Sequence, residues 1–209
     1  MGFEAAFIVE GHCEYDSLLS LISKIHGNVY FPISNAEGIG NIIKNTSEEL
    51  LTVIKMAEPK KIIITLDYRE ALREGIVSSC VELKEKIIKN CKEFTDSQAN
   101  GSLTLPEEII VIIADKTFES WICADYEGLK TNSLFDGEKI TETFINVDSE
   151  IPNPGSWLFS KLKNPIDLKS RMHRKNATKT LRPDIAKNHS RSFAKFHKEI
   201  SKINVTSFI

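Results

Sequence analysis

The chain has 209 residues, 41% of them hydrophobic and 27% charged, with a formal net charge of -2 at pH 7. That length buries a sizeable core as one domain or as a domain with an appendage. No apolar run approaches the ~20 residues of a membrane span, no signal-peptide pattern opens the chain, and Cys13, Cys80, Cys91 and Cys123 show no paired spacing. These features argue against a membrane protein, a zinc site or a disulfide framework, and the expected compartment is a reducing cytoplasm.

The small net charge conceals an asymmetry. Residues 160–202 hold thirteen Lys and Arg against Asp167, Asp184 and Glu199, about +10, which leaves about -12 for the remainder. An acidic body with a basic C-terminal segment suits a protein that holds cations in one part and phosphates in another. Intramolecular neutralisation accounts for the same totals equally well.

In chain order, residues 5–9 read as a strand and residues 15–25 as a helix with Leu18, Leu19, Ile22 and Ile25 on one face. Residues 28–33 read as a second strand. Residues 41–56 are helical with a break expected near Asn45-Thr46-Ser47. Residues 61–66 form a third strand whose Ile-Ile-Ile run suits burial on both faces. A helix over 81–94, a polar loop over 95–104, a fourth strand over 108–114 and a helix over 118–129 follow. The stretch 146–159, with Pro152, Pro154 and Gly155, reads as a linker or structured loop. Asn164 and Pro165 are set as N-cap and first residue of a further helix, and a last helix covers 192–203.

This alternation predicts an α/β fold: a mostly parallel, Rossmann-like sheet flanked by helices, over residues 1–145. Residues 146–209 form a loop plus a basic helical C-terminal segment expected to pack on the same domain. Ligands of such sheets bind at the carboxyl ends of the strands. Three of the predicted strands end in, or lead to, acids there: Glu10 after the first, Asp67 after the third, and Asp115, Glu119 and Asp125 after the fourth. Carboxylates that converge repel unless a cation or proton intervenes, and hard oxygen ligands suit Mg²⁺ or Mn²⁺. A single acid at such a place is more simply a helix cap. Glu10 with Asp67 is less simply explained that way.

The runs "FIVEGHCEYDSLL" and "IIITLDYRE" resemble the Toprim (topoisomerase–primase) fold, which carries a glutamate and glycine after its first strand and Asp-x-Asp after its third. "FESW" followed by "AD", and "SRSFAKF", resemble a small stand-alone Toprim-like branch, often encoded beside ATPases in bacterial phage-defence loci. The resemblance implies Glu10 and Asp67 as catalytic metal ligands. Position 69 departs from the pattern, being Arg, so Glu70, Glu119 and Asp125 compete for a second-metal role. Arg69 suits direct contact with a phosphate or pairing with a nearby acid.

The basic stretch 169–198 mixes cations with hydroxyl, amide and imidazole groups, which suits phosphate-backbone contact through Lys175, Lys179, Arg182 and Arg191. A solvated face or a surface for an acidic protein partner is nearly as good a reading. Gly38 and Gly40 precede a helix but lack a third glycine, so a turn is the simpler reading of "EGIGNII". His12 reads as a loop histidine or a proton shuttle, and Phe118, Trp121, Cys13 and Cys123 as core residues.

Two functions follow. One is a divalent-metal-dependent, Toprim-type nuclease hydrolysing phosphodiester bonds in DNA or structured RNA. In that reading Glu10 and Asp67 are the metal ligands, Glu119 or Asp125 helps with a second ion, and Arg69 or a lysine serves the transition-state charge. The resemblance implies an anti-phage defence effector acting with an ATPase partner, and homo-oligomerisation is left open. The other is a non-catalytic regulatory or nucleic-acid-binding subunit of an ATPase complex, which Arg69 supports. Phosphoaspartate chemistry at Asp67 ranks last, and no P-loop is present for ATP hydrolysis by this chain.

Overall fold

The computed structural model describes residues 2–27, 29–164 and 175–204. They fall into two compact units. The described residues of Met1–Gly11, Tyr30–Ile113 and Ile203–Ile209 form the first, and those of His12–Val29 and Ala114–Lys202 the second.

The first unit is built on a four-stranded, all-parallel sheet: β1 (Ala5–Val9), β2 (Ile33–Asn35), β3 (Lys61–Asp67) and β4 (Glu108–Ala114), in the order β2-β1-β3-β4. Phe7 sits beside Ile33 on one side and Ile63 on the other, and Val9 beside Asn35 and Thr65. Every residue of β1 is buried, so the strand is apolar throughout and not alternating, as a central parallel strand requires. Ala6, Ile8, Ile62, Ile64 and Leu66 pack into one core with Ile39, Ile42, Leu50, Val53, Ile54, Leu83, Ile87 and Phe94. These come from the helices numbered by chain order as α2 (Ile39–Lys44), α3 (Thr46–Ala57) and α5 (Cys80–Gln98). Between β3 and α5 lies α4 (Tyr68–Arg73), which starts directly after Asp67.

The second unit contains α1 (His12–His26), α6 (Phe118–Cys123), α7 (Tyr126–Leu129), α8 (Val147–Glu150), α9 (Pro154–Ser160), α10 (Pro183–His189) and α11 (Arg191–Ile200). Its centre is aromatic. Trp121 lies 5.4 Å from Phe118, 5.7 Å from Phe193 and 4.8 Å from Phe196 between ring centroids, and its indole N–H donates to Ser192 Oγ at 2.9 Å. The C-terminal end of α1 is tied to this unit by Lys24 Nζ, which donates to the Lys179 carbonyl at 2.8 Å. Among the described residues no helix is long and apolar enough to cross a membrane.

Several elements differ from expectation. Strand β2 lies at Ile33–Asn35 and not over 28–33, because its ladder is set by the carboxyl half of β1. Helix α5 runs on to Gln98, into the expected loop. The break near Asn45 is present between α2 and α3. The helix expected over 118–129 is two, because the Asp125 carboxylate accepts from Gly128 N–H at 3.0 Å and caps a new start. The stretch 146–159 holds α8 and all but the last residue of α9, capped by Asn146 and Asn153 side chains, with Pro154 at the first turn of α9. The helix expected from Asn164–Pro165 and the basic residues 169–174 lie outside the described residues.

Candidate functional site

In the order β2-β1-β3-β4 the chain leaves β1 outward to β2 and then returns to the other side for β3. The topological switch point therefore falls between β1 and β3, the place where open parallel sheets bind ligands. Glu10 follows the last residue of β1, and Asp67 is the last residue of β3.

Glu10 is buried, with 4% of its surface exposed. A carboxylate there needs compensation, and part of it is local: Glu10 Oε2 accepts the backbone N–H of Asp67 at 2.8 Å. A charge-assisted bond of that length fixes the orientation of the carboxylate. The Asp67 carboxyl group is only three bonds from the donating nitrogen. Covalent reach therefore keeps the two carboxylates within about 7 Å of each other.

The loop after β2 secures the same edge. Ala36 N–H donates to Val9 O at 3.0 Å and Gly38 N–H to Glu10 O at 2.8 Å. Gly38 has a φ of 126°, a conformation closed to L side chains, and Glu37 a φ of 58°. The glycine of "EGIGNII" thus makes a tight turn that clips the chain to the end of β1. Sequence reasoning passed over two residues here. Asn35 ends β2 beside Val9, and Thr65, two residues before Asp67 on β3, carries a buried hydroxyl. The signal for Asn35 was the one that revealed Glu10, a polar group closing an apolar run.

The remaining candidates are placed as follows. Arg69 is exposed, the second residue of α4. Glu70 accepts from Arg73 at 2.8 Å and is 41% exposed at its side chain. Glu119 lies in the first turn of α6, in the second unit.

Asp125 has a closed set of partners. Its Oδ2 accepts Arg182 N–H at 2.7 Å and Arg182 Nε at 2.9 Å, and its Oδ1 accepts Arg182 Nη2 at 2.6 Å and Gly128 N–H at 3.0 Å. The pair raises the Arg182 pKa, chiefly through these side-chain hydrogen bonds. A Cβ at Gly128 would collide with the Asp125 carboxylate, so only glycine fits. Lys175 and Arg191 are exposed, and Lys179 lends its carbonyl to Lys24. Asp115 is exposed, and its carboxyl pKa is raised, first by burial of its surroundings and then by Asp148.

Phe118, Trp121 and Cys123 are core residues. Burial pushes the Cys91 thiol up to about 11 and raises Cys123 well above the usual thiol range, so neither is a nucleophile at neutral pH.

Among the described residues, no group of three or more His, Cys, Asp or Glu side chains gathers as a ready-made metal cage. The donor set at the switch point is instead two carboxylates. That set fits Mg²⁺ or Mn²⁺, which keep several waters and take one or two protein carboxylates plus substrate phosphates. Compared with protein-family models, curated proteins and solved structures, the chain finds no match.

Proposed function

We propose that the chain is a divalent-metal-dependent nuclease centred on Glu10 and Asp67, acting on DNA or structured RNA. The observation that carries this reading is the Glu10 Oε2···H–N Asp67 contact of 2.8 Å at the switch point of a parallel sheet. Mg²⁺ or Mn²⁺ held there supplies an activated water and a Lewis acid for a phosphodiester oxygen. The chain's own residues do the rest. Glu10, oriented by the Asp67 amide, and Asp67 offer hard oxygen donors from two adjacent strand ends. Arg69, within one turn of Asp67, offers a guanidinium to the phosphate as charge develops. Glu70, in the first turn of α4, belongs to the proposal as a helper for a second ion.

The Toprim resemblance supports the same reading and adds an ATPase partner and a role in phage defence. Titration calorimetry with Mg²⁺ and Mn²⁺, run beside cleavage assays on duplex DNA and folded RNA, tests the core. Glu10→Ala and Asp67→Ala should each abolish metal binding and lower cleavage by at least about 10²-fold, with folding intact. Metal-independent cleavage, or full activity in the Glu10 variant, would refute the assignment.

A second reading, a non-catalytic regulatory subunit of an ATPase complex, is favoured by one observation. Asp125 spends both carboxylate oxygens on Arg182 and Gly128. With Arg at position 69 as well, the donors near β3 lack the second aspartate of the resemblance. Metal binding that is absent, or unchanged in Glu10→Ala, together with no cleavage would favour this second reading, whereas metal binding lost in Glu10→Ala would favour the intact metal site.

A further inference from the structure

Helix α11 has two unlike faces. Phe193, Phe196 and Ile200 are fully buried against the second unit's core. On the opposite side Arg191, Lys195 and Lys198 are exposed, spaced i, i+4 and i+7, which aligns them along one stripe. Among the described residues no carboxylate forms an ion pair with any of these three, whereas Lys202, one turn on, is spent on Glu199 at 2.7 Å. Asp115 is the carboxylate whose field Arg191 and Lys195 share.

The helix presenting this stripe is rigidly held. Ser190 caps it through Phe193 N–H at 3.0 Å, Asp148 accepts Ser190 Oγ at 2.9 Å and Ser192 N–H at 2.9 Å, and Trp121 bonds Ser192 Oγ. Three exposed cations on a fixed helix lose little freedom when they meet a matching row of anions.

We infer that Arg191, Lys195 and Lys198 form a binding surface for one phosphate strand of a duplex nucleic acid. The inference rests on the reading that the substrate is nucleic acid, but not on cleavage. The match is one of charge density. Seven residues of helix span about 10.5 Å, so the stripe carries three charges over that length. One strand of a duplex carries a phosphate about every 3.4 Å of axis, or three over the same distance. Single-strand binding relies on exposed aromatic platforms, and both phenylalanines of α11 are buried. This favours the duplex, and a sequence-tolerant mode of contact.

The test is fluorescence anisotropy of a labelled duplex of about 20 base pairs over a range of salt, in EDTA so that binding alone is read. Arg191→Gln, Lys195→Gln and Lys198→Gln combined should flatten the log–log salt slope by about 2.7, at roughly 0.9 per phosphate contact. Affinity near 0.1 M salt should fall on the order of 100-fold or more. Lys195→Gln alone should flatten the slope by about 0.9, guarding against a triple variant that misfolds. Lys84→Gln, Lys86→Gln and Lys92→Gln on the exposed side of α5 make the same charge change and should leave the slope unaltered. An unchanged slope in the stripe variants, or an equal loss in the α5 set, overturns the inference. So does tighter binding to single strands than to the duplex, or binding to anionic vesicles with none to the duplex. Stripe-dependent duplex binding without metal-dependent cleavage would sink the nuclease reading alone, and Glu10-dependent cleavage with an unaltered slope would sink the stripe alone.

Discussion

A buried carboxylate needs hydrogen bonds or a countercharge, and Glu10 and Asp125 meet that need differently. Asp125 sits in a fully satisfied clamp, accepting two backbone N–H groups and two guanidinium N–H groups. Its work is to join α7 to the start of α10, and a ligand role would require breaking that clamp. Asp125→Ala should therefore lower the unfolding free energy by about 2–3 kcal/mol in urea denaturation. The figure is set below the ~3–5 kcal/mol of a fully buried pair because the Arg182 side chain is 53% exposed and returns to water. A midpoint unchanged from wild type would show the clamp to be dispensable. Glu10 was legible in the sequence as an acid closing an apolar run, and so was Asp67. The Asp125 clamp was not, because Arg182 lies 57 residues away and no local pattern joins them.

At the scale of elements, the strands were legible wherever the apolar run is continuous: at β1 and β3, where burial is nearly complete, and at the edge strand β4, where it is partial. Strand β2 is three residues long and half-buried, so its apolar neighbours on the N-terminal side outweighed it. The amphipathic seam of α11 was visible, whereas α10 was hidden in a basic stretch because only Ala186 of its residues is buried. Together α10 and α11 carry a pH response. His197 lies 3.6 Å from Asp184, and its pKa is lowered by burial first, then by Lys187 and His26, with Asp184 opposing. The folded state thus binds this proton less readily than the unfolded chain, whose imidazole titrates near 6.5. Its contribution is fully present above pH 6.5 and is lost as pH falls below that value toward the lowered pKa. Urea stability should decline as pH falls through about 6.5, by no more than ~1.4 kcal/mol per pH unit from this one group. His197→Gln should flatten that slope, and an identical slope in the variant would exclude His197 as its source.

For the whole molecule, the path of the chain matters more than its boundaries. The sequence ranges of the first unit hold ten Lys and Arg against fifteen Asp and Glu, a net of -5, and those of the second hold seventeen against fourteen, a net of +3. Acid thus dominates in the unit that holds Glu10 and Asp67, and base in the one that holds the α11 stripe. Neither unit is a continuous segment, since the chain passes from one to the other after Gly11, Val29, Ile113 and Lys202. Helix α1 belongs to the second unit and contributes Leu18, Leu21 and Ile22, all fully buried. Its C-terminal end is also held by Lys24, which donates to the Lys179 carbonyl, and by the His26 ring, which lies 2.6 Å from the Ile200 carbonyl. A fragment of residues 114–202 would retain all the other helices of that unit yet lack this one. Burying three large aliphatic side chains contributes on the order of 5–9 kcal/mol, comparable to the whole stability of a small domain. The fragment should therefore show no cooperative thermal transition, and its amide protons should exchange freely. Adding a peptide of residues 12–29 in excess should restore a transition whose midpoint rises with peptide concentration, as mass action requires. A fragment that melts cooperatively without the peptide would mean that α1 is an accessory to the second unit and not part of its core.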